Sequence, residues 1–329
     1  MPPAPLRVAF QMDPMEGIGI AGDSSFALML EARARGHMIW HYTADMLSWE
    51  QDANGGTLSA QATRIDHVER SQGVHFRGGE RRSLDLGADV DVIWMRQDQP
   101  FDLGYITATH LLERVAERTL VVNDPVSVRN APEKLWVLDF AQFMPPTLIT
   151  RDLTKVREFH AQHGAIVVKP LHGNAGAAVF RIGEDGANMG ALTELFGHVW
   201  REPFMVQPFL PEVRDGDKRI VLVDGEVAGA INRVPGKGEI RSNLAAGGSA
   251  HATRLTEREA EICATLGPEL KRRGLLFVGI DVIGGRWLTE INVTSPTGIV
   301  AMDTFNGSNT AALIWDAVEA RVAERSTVR

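Results

Sequence analysis

The sequence predicts an α/β fold in three units, and three observations lead to it. Over residues 1–125, short apolar strands alternate with helical stretches, the pattern of an open and mainly parallel sheet. Residues 126–203 carry a smaller α+β pattern punctuated by Pro and Gly. From 204 to 329 the pattern turns to hairpins, with Asp224-Gly225 and Gly284-Gly285 as two-residue turns.

The first unit opens with a strand at 6–12 and a Gly-rich loop. A helix follows at 24–35, with Asp23 or Ser24 as N-cap and Gly36 as its stop. Strands are predicted at 38–42, 91–96 and 120–123, with a helix at 106–118. Residues 50–88 are polar and Gly-rich, which predicts irregular strands or a loop excursion. In the second unit Pro132 opens a helix, where its missing N–H costs nothing. A strand at 147–150, a helix stopped by Gly164, and strands at 165–169 and 177–182 complete it. The third unit holds hairpins 219–223/226–234 and 277–283/286–293, a helical run at 256–273, and a long Gly-rich loop at 235–248.

Bulk properties exclude several functions. A chain of 329 residues, 44% hydrophobic and 23% charged, can bury an ample core without a disulfide or structural metal. Its net charge of −8 argues against sequence-independent nucleic-acid binding, which runs on excess Lys and Arg. An anionic substrate must therefore meet local positive charge. The single Cys263 has no internal partner and sits in the helical run beside Ile262 and Leu266, a packing position rather than a nucleophile. The N-terminus lacks the regions of a signal peptide, and no stretch reaches the ~20 apolar residues of a membrane span. The expected location is the cytoplasm.

Chemistry concentrates in the last hairpin. Opposed residues of a hairpin share a face. A turn at Gly284-Gly285 predicts Ile283 opposite Arg286, Asp281 opposite Leu288 and Gly279 opposite Glu290. Asp281, Glu290 and Asn292 then leave one face together, an oxygen set suited to Mg²⁺ (or Mn²⁺) bridging substrate phosphates. The alternative is a solvated hairpin face.

Lys169 ends an apolar strand and enters His172-Gly173-Asn174-Ala175-Gly176, a small-residue turn able to present N–H groups to phosphate. Lys134 falls on the first turn of the helix that Pro132 opens. Taken singly, each lysine suits a surface role as well. Loop 235–248, with Lys237, Glu239, Arg241 and Asn243 among its glycines, has the composition of a lid that excludes water, or of an ordinary long loop. Arg219 and Arg233 lie on its flanking strands. Gly17, Gly19 and Gly22 match a dinucleotide fingerprint, but Asp13-Pro14-Met15-Glu16 separates them from the strand and no acid ends the second strand, so the match is a decoy.

As an ordered set these segments resemble the prokaryotic glutathione synthetase family of ATP-grasp ligases. The resemblance is colinear over nearly the whole chain. It runs through Asp13-Pro14, Asp23-Ser24-Ser25-Phe26, Arg96 to Asp102, Glu133-Lys134-Leu135 and Val168-Lys169-Pro170-Leu171. It continues in Asp215 to Arg219, Asn243 to Gly248, Phe277 to Asp281 and Leu288 to Thr297. It implies an ATP-grasp fold: a Rossmann-like N-terminal domain, a small α+β lid domain and a C-terminal antiparallel-sheet domain.

The resemblance also implies the reaction, in which ATP phosphorylates the C-terminal carboxylate of γ-glutamylcysteine and glycine's amine displaces phosphate. ATP would meet Lys134, Lys169, Gly173, Gly176, Gln207 and Leu210. Asp281, Glu290 and Asn292 would hold the metal, and Arg219 and Arg233 would steady the transferring phosphoryl group. Ser25, Arg96 and Asn243 would lie near the other substrates. A homo-oligomer is expected from the same source.

Three positions depart from the family: His172 where Asp is common, Ala175 where Gly is common, and Val300 near a usual Arg. An altered substrate is the corresponding alternative within the ATP-grasp class, and a non-catalytic nucleotide-binding module is the alternative outside it. The complete cation set and lid argue against the latter.

Overall fold

The computed structural model describes residues 4–328 apart from 54, 72, 174, 175, 200, 245 and 246. Among the described residues, the strands form three sheets.

The first sheet takes β1 (Arg7–Gln11), β2 (Met38–Tyr42), β3 (Leu47–Asp52), β4 (Gly55–Val68), β5 (Phe76–Asp85), β6 (Val92–Met95) and β7 (Leu120–Val122). Its centre, β2-β1-β6-β7, is parallel, and β1 and β6 are buried nearly throughout, as strands covered on both faces must be. Helices α1 (Ser24–Ala34) and α2 (Leu103–Glu113) connect its strands. Asp23 caps α1 by accepting from the Phe26 N–H at 2.7 Å, and Asp102 does the same for α2 from Tyr105 at 3.0 Å.

The excursion over 50–88 is more regular than its composition predicts. β4 pairs antiparallel with β2, β3 and β5, with register shifts near Thr63 and Ile65. Leu58, Ala60 and Ala62 bury every second side chain of β4, while β5 is almost wholly exposed. The inward stripe is made of small residues scattered among polar ones, which hides the period.

Helix α3 (Pro125–Arg129) follows. The helix predicted from Pro132 does not form. Leu135 and Trp136 both donate to the Pro132 carbonyl in a turn, and 3₁₀ turns run from Trp136 to Phe143 with non-helical angles at Phe140. Burying Trp136, Val137, Phe140 and Phe143 together takes precedence over regular helix geometry.

The second sheet is built from β8 (Leu148–Thr150), β9 (Ile166–Pro170), β10 (Phe180–Ile182) and β11 (Phe204–Pro208), with α4 (Leu153–His163) and α5 (Met189–Val199). Its order is β10-β9-β11-β8, all antiparallel. Residues 204–208, read from sequence as the start of the hairpin pattern, are thus the strand that joins β8 to β9.

The third sheet has the order β14-β13-β12-β15-β16, from β12 (Asp217–Val223), β13 (Glu226–Val234), β14 (Ser249–Ala252), β15 (Phe277–Ile283) and β16 (Trp287–Asn292). Asp224 and Gly225 turn the first hairpin at φ +48° and +84°. Helix α6 (Glu257–Arg272) packs on this unit behind a capping box at Thr256 and Glu259, with Cys263 buried as expected. Burial pushes that thiol up to about 12.

Helices α7 (Ile299–Asn306) and α8 (Thr310–Val328) return the chain to the first unit, where Trp315 Nε1 donates to the Leu28 carbonyl at 2.8 Å. Asn123, just after β7, joins the two larger sheets. Its Nδ2 donates to the Phe277 and Val293 carbonyls and its Oδ1 accepts from the Phe277 N–H, at 2.7–2.9 Å. Among the described residues no helix is long and apolar enough to cross a membrane.

Candidate active site

A cavity of about 350 Å³ opens between the second and third sheets, under loop 235–248. The last hairpin supplies its floor. The predicted register there is off by one next to the turn, where Ile283 pairs with Trp287 and Val282 with Leu288, and a bulge at Thr289 makes the offset two, setting Asp281 opposite Glu290 and Gly279 opposite Asn292. A bulge adds a residue that turn chemistry does not announce. Because the offset at the functional residues is even, the faces are kept, and Asp281, Glu290 and Asn292 do share one.

Each acid is met by cations from other strands. Arg219 on β12 pairs with Asp281 through Nε–Oδ1 at 2.6 Å and Nη2–Oδ2 at 3.0 Å. Arg233 on β13 brings Nη2 to 2.9 Å from the same Oδ1 and donates its Nε to Asp217 Oδ1 at 2.6 Å. Burial alone would raise the pKa of Asp281, but the two guanidinium groups outweigh it and hold the carboxylate well below its usual range. Asn292 Nδ2 donates to the Gly279 carbonyl at 3.2 Å and lies 3.4 Å from Asp281 Oδ2.

Glu290 gathers the two lysines. Lys134 Nζ is 3.3 Å and Lys169 Nζ 3.9 Å from its Oε1, and both lysines are buried. Burial lowers the pKa of Lys169. It acts on Lys134 too, but there the charges of Glu290 and Glu133 prevail and raise it. Lys134 Nζ also donates to the Gly173 carbonyl at 2.8 Å, which pins the small-residue turn after β9.

Gln207 and Leu210 line the same cavity, Gln207 with its Nε2 donated to Thr147 Oγ1 at 2.9 Å. Gly176, at φ +74°, lies against the lid loop. A Cβ there would meet Asn243 Oδ1 at 2.8 Å and Arg241 Cδ at 3.0 Å.

Ser25 and Arg96 come together with each other, Arg96 Nε donating to Ser25 Oγ at 2.9 Å, but neither lines this cavity. Arg96 reaches it indirectly by donating Nη2 to the carbonyl of cavity-lining Pro296 at 3.0 Å. Its Nη1 is buried with no hydrogen-bond partner among the described residues, and burial lowers its pKa.

His172 is half-buried and stacks on Phe101, ring centroids 5.8 Å apart, while Ala175 lies outside the described residues. Val300 packs partly buried in the apolar cluster of Ile231, Ile299 and Met302, away from the cavity lining. The Gly-rich stretch at 17–22 forms a short 3₁₀ turn and loop and contributes nothing to the cavity lining.

Sequence reasoning passed over two acids in the centre of the site. Asp217 is largely buried and faces Arg233; burial raises its pKa and Arg233 opposes the rise. Glu133 accepts from Thr294 Oγ1 at 2.9 Å and Gln99 Nε2 at 3.2 Å, and burial raises its pKa against the charge of Lys134. Glu133 adjoins Lys134, and Asp217 lies two residues before Arg219 on the same strand. An acid next to a candidate cation was the available signal.

Residues 6–129 match the N-terminal domain of prokaryotic glutathione synthetase, and residues 133–307 match the ATP-grasp domain of the same family. A glutathione synthetase of Rhodopseudomonas palustris is 57% identical over 318 residues, covering 97% of this chain and 99% of that one. One of Bradyrhizobium diazoefficiens is 55% identical over 319 residues, with 97% and 99% covered. In shape the chain is similar to the crystal structure of the D-cycloserine synthetase DcsG, at a TM-score of 0.67 over 96% of this chain and 99% of that one. At 16% identity this is a likeness of ATP-grasp fold alone. By both family matches and by near-full-length relatives, the chain belongs to the prokaryotic glutathione synthetases.

Proposed function

We propose that the protein is an ATP-dependent carboxylate–amine ligase that joins γ-glutamylcysteine to glycine, yielding glutathione, ADP and phosphate. The observation that carries this reading is the convergence of Lys134, Lys169, Arg219 and Arg233 on Asp281 and Glu290 in one lidded cavity. The acids Glu133, Asp217, Asp281 and Glu290 balance the four cations and hold them fixed in the cavity, placed to meet a polyphosphate that arrives with its own divalent ion.

In the reaction the dipeptide's carboxylate oxygen attacks the γ-phosphorus of ATP and the bond to ADP breaks. The amine of glycine then attacks the acyl carbon, a proton leaves the nitrogen, and inorganic phosphate departs. Lys134 and Lys169 hold the ATP phosphates, with Gly173 and Gly176 letting the turn come close. Gln207 and Leu210 bound the adenine end. Arg219 and Arg233 offset charge on the transferring phosphoryl group and on the acyl phosphate, while Asn243 and the lid exclude water. Ser25 and Arg96 shape the dipeptide's surroundings.

Divalent-metal dependence goes with the family, and the donors suit Mg²⁺. Two carboxylates and an amide oxygen are hard ligands, too few for a closed cage and so completed by phosphate oxygens. Asp281 is held ionised, and Asn292 uses its N–H groups on neighbours, leaving its oxygen as the donor. Held by Asp281, Glu290 and Asn292, such an ion would supply charge neutralisation to the substrate phosphates. Mn²⁺ accepts the same donors. The reading carries with it a cytoplasmic location and a homo-oligomer.

The test is ADP release by purified protein with Mg-ATP, γ-glutamylcysteine and glycine, omitting one component at a time. Release that needs all three, with equal glutathione formed, is the expected result. ADP without glutathione, or only with another amine, would reassign the substrate.

A further inference from the structure

We propose that Ser242 is a positioning residue: its hydroxyl latches loop 235–248 onto Asp217 and so makes lid closure set the placement of Arg233. This rests on the ligase reading above.

The loop leaves β13 at Val234 and re-enters β14 at Ser249, and those two residues are paired, so its base is fixed. Its middle lies over the cavity, where Ile240, Arg241, Ser242, Asn243 and Leu244 are lining residues. The polar groups there behave differently from one another. Arg241 and Glu239 pair with each other at 2.6 Å, within the loop and half-exposed, which does nothing to hold the loop down. Asn243 carries the backbone closure, its carbonyl accepting from the Gly248 N–H at 3.1 Å.

Ser242 is the one polar side chain among these that is buried. It is 1% exposed, and its Oγ donates to Asp217 Oδ2. Asp217 spends its other oxygen on Arg233, whose Nη2 then reaches Asp281. A continuous chain of contacts therefore runs from lid to Ser242, Asp217, Arg233 and Asp281.

The Asp217 side chain is only 13% exposed, so each carboxylate oxygen gains from a protein partner. With the lid down, Ser242 serves Oδ2 and leaves Oδ1 to Arg233. With the lid up, Oδ2 loses that donor, and the Arg233 guanidinium is the adjacent group able to swing towards it, away from Asp281. The arginine that faces the phosphoryl group is thereby set only when water is shut out.

The test uses the full chain and trypsin, which can cut after Lys237 and Arg241 in the loop. Ser242→Ala is expected to be cut in the loop roughly tenfold faster than wild type, the loss expected for one hydrogen bond to a charged acceptor. Ser242→Thr, which keeps the hydroxyl, is expected to stay near wild type. With Mg-ATP, γ-glutamylcysteine and glycine, Ser242→Ala should release more ADP than ligated product.

Equal cutting of Ser242→Ala and wild type overturns the latch. So does a Ser242→Thr loop opened as far as that of Ser242→Ala, since volume and not the hydroxyl would then be at work. A wild type that forms no ligated product defeats the ligase reading instead, and the proteolysis comparison still decides the latch.

Discussion

Arg219 and Asp281 face each other directly across β12 and β15 and are joined by two hydrogen bonds, of 2.6 and 3.0 Å. Both are buried, and Arg233 leans on the same carboxylate. Removing the acid leaves two guanidinium groups enclosed against each other. Asp281→Asn should therefore cost stability as well as turnover, roughly 3 kcal/mol or more by the behaviour of broken buried pairs. Urea unfolding of the two proteins measures it, and an unchanged midpoint would mean that solvent already screens the pair.

Lys169 stands deeper in its strand than a surface lysine, and its lowered pKa reports the enclosure. Lys169→Ala is expected to reduce ligase turnover by about 10²–10³, as for other preorganised charge stabilisers. Steady-state kinetics with saturating Mg-ATP decide it. Near-normal turnover would remove Lys169 from the phosphate site.

Replacing residues 236–247 by a short Gly linker should leave ATP binding close to wild type and raise ATP hydrolysis without ligation. Calorimetry of nucleotide binding and the ratio of ADP to product give the two readings. A ratio that stays at the wild-type value counts against the lid as a water barrier.

His37 is enclosed between the N–H of Leu6, which donates to Nδ1 at 3.2 Å, and Glu319, 3.1 Å from Nε2. Burial lowers its pKa, and Glu319 only partly offsets this. The unfolded chain therefore takes up the proton first as pH falls below 6.5, so the contribution is complete above that value and declines beneath it. Wild type should lose more melting temperature than His37→Gln between about pH 7 and 5.5. Parallel slopes for the two proteins would defeat the assignment.

Gly225 turns the first hairpin at φ +84°, and a Cβ there would stand 2.5 Å from the Gly267 carbonyl oxygen in α6. Gly225→Ala should destabilise by more than the roughly 1 kcal/mol of an ordinary Gly-to-Ala conformational mismatch, because backbone would have to move. Denaturant midpoints measure the cost.

Local signals in the chain reported local structure well. Asp23, Gly36 and Asp224-Gly225 each act through a cap or turn made within a few residues, and each stands where the pattern put it, while the turn at Gly284-Gly285 takes in Arg286 as a third residue. What stayed hidden depended on partners far along the chain. The bulge at Thr289 is a property of how β16 meets β15. The 3₁₀ course after Pro132 follows from burial of Trp136 and Phe140 against other elements. The face shared by Asp281, Glu290 and Asn292 survived because a two-residue error preserves parity. Asp217 and Glu133 escaped because lone acids beside cations look like surface salt bridges until burial is known.

The order of the second sheet carries a consequence for synthesis. Among the described residues β8 has β11 as its only partner in that sheet, and β11 emerges more than fifty residues later. While the ribosome has delivered only the stretch through α5, β8 waits as an unpaired ribbon and β9 has one free edge. Chains released early, before residue 204, would expose both to other nascent chains, and strand edges of that kind invite aggregation. The strand that completes the cavity wall is thus also the one that makes the growing polypeptide safe to release.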